Sequence, residues 1–184
     1  MNRREALSTL ALLFGGTIIG ANAFLTGCST SGKKADLFEA DDIPLLDSIG
    51  DTIIPVTVSS PGAKDAKIGE FMKTMVTDLY SAEEQKTFTD GLSQFRSTCQ
   101  QKYGKSFSSL SAKDRYEFLS ELDEESRQWK NGENPHYFIM MKQLTLWGYF
   151  TSEPGATKAL KYVSVPGKYE GEIPYIKGDR AWAT

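Results

Sequence analysis

Few groups in this sequence are equipped for catalysis. His136 is the single histidine and sits in Asn134-Pro135-His136-Tyr137, at the predicted start of a helix. A general base there needs an orienting carboxylate and a nucleophile within reach, and no recognisable set accompanies it. A helix N-terminus also disfavours an imidazolium. A structural or surface histidine is therefore the stronger reading. Cys99 falls on the apolar stripe of a predicted helix, where a thiol acts as a small inert hydrophobe rather than a nucleophile. The acidic groups Glu83-Glu84, Glu117, Glu121 and Asp123-Glu124-Glu125 read as solvated helix faces. Neighbouring residues on a helix point in different directions, whereas acid–base work needs two carboxyls in one cleft. Asp36, Glu39, Asp41 and Asp42 lack the spacing of a calcium loop. One His and two Cys are too few for a His/Cys zinc site. They also supply neither C-x-x-C-H nor four cluster cysteines. No glycine-rich phosphate cradle is written in the chain.

The densest unusual segment is aromatic. Leu144 to Gly155 holds Trp147, Tyr149 and Phe150 beside Gly148 and Gly155. Tyr162, Tyr169, Tyr175 and Trp182 continue that character towards the C-terminus. Trp and Tyr are favoured interface anchors, so these seven residues are candidates for docking a partner. The same pattern also serves a core helix end with a capping turn, and the two readings weigh about equally.

The N-terminal segment reads as an address. Arg3 and Arg4 precede an apolar stretch from Ala6 to Leu25, which ends in Leu25-Thr26-Gly27-Cys28. A basic start, an apolar middle and small residues before a cut are the layout of a signal peptide. The ending resembles the bacterial lipobox, which makes Cys28 a lipidated N-terminus. A permanent membrane span is the alternative, weakened by Gly15, Gly16, Gly20 and Asn22. Asn2-Arg3-Arg4-Glu5-Ala6-Leu7 resembles the twin-arginine motif of folded export, with Ala6 where a Phe is usual. Stable anchoring takes roughly two acyl chains. Ser29 to Ala35 is small and polar, a tether. With Cys28 lipidated, Cys99 has no internal disulfide partner.

The elements that position these groups are helices. The 184 residues are 40% hydrophobic and 24% charged, an ordinary globular composition, and a net charge of −3 with no basic run argues against a nucleic-acid footprint. Leu45, Leu46, Ile49 and Ile53 mark a first helix from Asp41 or Asp42 to about Ile54, ended by Pro55. A second begins between Ala63 and Asp65. A third is capped by Ser81 with Glu84 and stops at Gly104. A fourth starts at Ser111 and runs towards Trp129. A fifth runs from Pro135, at its first position, to about Phe150. A short sixth spans Pro154 to Tyr162. Val165-Pro166-Gly167-Lys168 favours a type II turn. The fold class is mostly α: a compact bundle of about five to six helices with an irregular aromatic, Gly- and Pro-rich tail from about residue 163. The chain divides into a signal peptide (1–27), a lipidated cysteine and tether (28–40) and a single helical domain (41–184).

Four stretches resemble the gluconate 2-dehydrogenase subunit 3 family. They are Ile49-Gly50-Asp51-Thr52-Ile53-Ile54-Pro55, Pro61 to Ala66, Gly148 to Gly155, and Val165 to Gly171. They extend the likeness from about Leu45 to Trp182. The resemblance implies a non-catalytic accessory subunit with no catalytic, cofactor-binding or metal-binding residues of its own. It implies a large partner of the glucose–methanol–choline class that carries FAD and oxidises a sugar, sugar acid or alcohol, and a cytochrome c with haem c as a third subunit. The small subunit then supplies the export signal and stabilises the flavoprotein. With Cys28, this places the chain on a bacterial membrane, facing the periplasm. The alternative is a free-standing lipoprotein that binds a small ligand between its helices.

Overall fold

Apolar side chains repeat at helical spacing from Leu45 to Phe150, and the backbone follows them. In the computed structural model, which describes residues 37–130, 135–165, 167–168 and 171–183, five α-helices carry the fold. They are α1 (Asp42–Ile53), α2 (Ile68–Leu79), α3 (Ala82–Tyr103), α4 (Ala112–Gln128) and α5 (Tyr137–Thr151). Short 3-10 turns at Ala63–Ala66 and Phe107–Ser109 and a π turn at Gly155–Ala159 join or follow them. No strand occurs among the described residues, only a bridge between Lys161 and Trp182.

The helix α5 sits at the centre and touches each of the other four helices. Its sequence is apolar nearly all round, the signature of a buried helix. Tyr137, Phe138, Met140, Met141, Leu144, Thr145, Gly148 and Tyr149 are all buried. The hydroxyl of Thr145 donates to the Met141 carbonyl at 2.8 Å, so its burial leaves no orphan. Two glycines allow the close packing. A Cβ on Gly148 would stand 2.5 Å from the Phe71 ring of α2. One on Gly91 of α3 would overlap the Cβ and ring of Tyr137. A second aromatic layer, Phe95, Phe107 and Phe118, locks α3 to α4 with edge-on contacts at 5.0 Å.

Local rules explain most helix ends. Ser81 and Glu84 form the reciprocal cap of α3, and Ser111 caps α4 through the Asp114 amide at 3.1 Å. Gly104 ends α3 with φ of 65°. Two starts differ from the sequence-based expectation, and α1 starts where expected but with a different cap. The Asp41 side chain makes no cap bond; instead the Asp42 carboxylate accepts from the Glu39 amide at 2.6 Å. Ala63–Ala66 winds as a separate 3-10 turn, and α2 begins only after Lys67, in the left-handed region at φ 52°. The residue opening α5 is not Pro135. His136 is the N-cap, and its Nδ1 accepts from the Phe138 amide at 3.3 Å. The predicted sixth helix shrinks to the π turn, because Gly155 lies against the Tyr149 carbonyl where no longer side chain fits.

Candidate functional site

His136 is 2% exposed and wedged between Trp129 and Tyr137, with ring centroids 5.1 and 4.4 Å away. Since Nδ1 accepts the cap bond, the neutral ring carries its proton on Nε2. That atom lies 3.8 Å from the Glu125 carboxylate. Burial lowers the His136 pKa, with Glu125 opposing more weakly. No serine or cysteine nucleophile stands beside the ring among these contacts. The histidine is a helix cap in a packed aromatic cluster. Cys99 is also buried; its Sγ faces the Lys105 carbonyl at 3.5 Å, and desolvation raises its pKa. A thiol held in its neutral form is a poor nucleophile.

The carboxylates are spoken for. Asp123 pairs with Lys142 at 2.5 Å and Arg127 at 2.6 Å, and the Lys142 bond chiefly holds its pKa below the ordinary value. Glu121 pairs with Lys102, and Glu117 with Lys113 at 3.6 Å. Glu84 serves the cap of α3. Among the described residues no group of three or more His, Cys, Asp or Glu is arranged to hold a metal ion.

The aromatic segment divides into two faces. Trp147 is 53% and Phe150 40% exposed on the outer side of α5, next to Leu146. Trp147 meets Phe71 of α2 edge-on at 5.9 Å. Tyr149 points the other way: it is 1% exposed, and its hydroxyl donates to the Pro61 carbonyl at 2.5 Å. Tyr149 therefore leaves the set of docking candidates and joins the core. Tyr162, Tyr175 and Trp182 are exposed. Tyr169, and the signal and lipobox residues Arg3, Arg4, Leu25, Thr26, Gly27 and Cys28, lie outside the described residues.

The C-terminal tail is clasped at its base. The Lys161 amide donates to the Ala181 carbonyl at 2.8 Å, and the Ala183 amide donates to the Lys161 carbonyl at 3.0 Å. The Lys161 ammonium lies 4.3 Å from the Trp182 ring centroid. Arg180 donates to the Lys158 carbonyl at 2.6 Å, satisfying the end of the π turn. Within the loop so closed, Val165, Ile173, Tyr175 and Ile176 are exposed, and Gly167 has the positive φ (73°) that a type II turn requires.

Sequence reasoning missed one junction. The Ala63 amide donates to the Ile54 carbonyl at 2.9 Å, and Tyr149 reaches Pro61. The segments 49–55, 61–66 and 148–155 thus meet at one point, where α1, the first 3-10 turn and α5 are bonded together. These are three of the stretches that carry the family resemblance, and what they share is architecture.

The sequence model described as Gluconate 2-dehydrogenase subunit 3 matches residues 40–167. The chain belongs to this family. The match runs from the start of α1 to Gly167, so it takes in all five helices and the π turn. Comparison with curated proteins and with solved structures yields no match.

Proposed function

We propose that this chain is the non-catalytic accessory subunit of an exported flavin-dependent dehydrogenase of the glucose–methanol–choline type, acting on a sugar, sugar acid or alcohol. The family match over residues 40–167 carries the reading. The exposed Leu146, Trp147 and Phe150 on α5 and the clasped aromatic loop support it as docking surfaces for the FAD-bearing subunit. Arg3 and Arg4 supply the export address and Cys28 the lipid anchor on a membrane facing the periplasm. FAD belongs to the partner, and haem c to a cytochrome third subunit. The membrane anchor and the stabilisation of the flavoprotein are this chain's contribution.

The test is the behaviour of the chain made alone without its first 27 residues. An orphan subunit exposes its docking face, so it is expected to self-associate and to bind a hydrophobic dye. Replacing Trp147 and Phe150 by Ser is expected to relieve both. A monomeric, dye-silent wild-type chain would contradict the reading.

A further inference from the structure

A groove of about 600 Å³ opens between α1, α3 and the 3-10 turn Phe107–Ser109. That volume lies within the roughly 300–1,000 Å³ of small-molecule sites. Its base is apolar, formed by Pro44, Leu45, Phe95 and Phe107. Along one side Arg96 and Gln100 stand one helical turn apart on α3, with Ser97 beside them. Ser108 faces them from the 3-10 turn.

Charge narrows the occupant. The Arg96 guanidinium is 2.6 Å from Asp42 and 3.8 Å from Glu39, and Asp41 lies on the rim. One cation among three carboxylates gives a negative site, which repels an anion. The Arg96 Nη2 and Asp42 Oδ1 atoms meet at 2.6 Å as a buried ion pair, so neither is open to the groove. An arginine also has five donors, more than these two carboxylates use here.

We propose that this groove is a binding site for an uncharged amphiphile, a molecule with a carbonyl or hydroxyl end and an apolar body of ring size. The oxygen accepts from Arg96 and Gln100, and the body lies on Pro44, Leu45 and Phe107. The site is separate from the α5 face and stands whether or not the chain docks a flavoprotein.

The probe is prodan, an uncharged naphthyl ketone whose emission shifts to the blue away from water. It is titrated into the full-length chain in lipid nanodiscs, with empty nanodiscs subtracted. The expected result is a saturable blue shift at one probe per chain. Ser97→Trp, which fills the groove from an exposed position, is expected to weaken binding about tenfold or more. Tyr116→Ser, at an exposed aromatic of α4 that lines neither the groove nor the α5 face, is expected to leave it unchanged. Helical circular dichroism checks each variant, and Ser108→Trp fills the groove from the opposite wall if Ser97→Trp does not fold. No saturable shift, equal binding by the filled variant, or loss of binding in Tyr116→Ser would each overturn the proposal.

Discussion

Asp42 is 4% exposed and lies 2.6 Å from the Arg96 guanidinium. Breaking a buried pair from one side strands the other charge. Arg96→Met is therefore expected to destabilise the fold by about 3 kcal/mol, the low end for buried pairs because Arg96 is half-buried. Asp42→Asn in the same chain is expected to recover part of the loss; chemical denaturation measures both. His136 gives a pH dependence. Its folded pKa lies below the ordinary histidine value near 6.5, so the unfolded chain binds the proton first. Stability is then full above that value and falls as pH drops towards the lowered folded pKa. His136→Gln is expected to flatten that slope, read from melting temperature against pH. The Tyr137 hydroxyl is buried and has no hydrogen-bond partner among the described residues, so Tyr137→Phe is expected to be neutral or stabilising by up to about 1 kcal/mol. The sequence favours structural roles for Cys99 and His136 from the company they keep. The capping role of His136 was hidden, because it depends on Nδ1 reaching back to an amide two residues on. The Arg96–Asp42 pair was equally hidden, since 54 positions separate its members.

Helices were legible wherever apolar spacing and a side-chain cap agreed. Ser81 with Glu84, Ser111 with Asp114, and Gly104 are local signals, and they stand where the chain announces them. The start of α2 was not legible, because the 3-10 turn and left-handed Lys67 answer to packing: Gly69 donates to Asp47 across 22 positions at 2.8 Å. The π turn similarly follows from the contact between Gly155 and the Tyr149 carbonyl. Central α5 depends on close approach at Gly91, where the obstruction is the stem of Tyr137 rather than a flexible tip. Gly91→Ala is expected to cost about 3 kcal/mol, the upper end for overpacking. Gly148→Ala meets the Phe71 ring, which is half-buried and has room to turn, and is expected to cost less. Thermal melts of the two variants give the comparison.

At the scale of the molecule, the helical class was readable from apolar spacing and caps, and the family from four short stretches of sequence. Their structural meaning was not, because segments 49–55, 61–66 and 148–155 come together only in the fold. The aromatic segment was legible in type but not in direction. Alternation along α5 turns Tyr149 inward and Trp147 outward, and composition alone does not separate them. The clasp between Lys161 and Trp182 makes the tail a closed loop. Deleting residues from 163 onward is expected to abolish partner copurification while leaving helical circular dichroism nearly unchanged, since the five α-helices lie upstream. Cys28→Ser is expected to move the chain from the membrane to the soluble fraction on cell fractionation.

The central claim is that the chain is one part of a flavoprotein complex. Its most direct test is a mild-detergent pull-down of the tagged full-length protein from its native membranes, read by visible absorbance and mass spectrometry. A stoichiometric yellow partner of the glucose–methanol–choline class is the predicted result. A colourless, solitary chain under gentle extraction would contradict it.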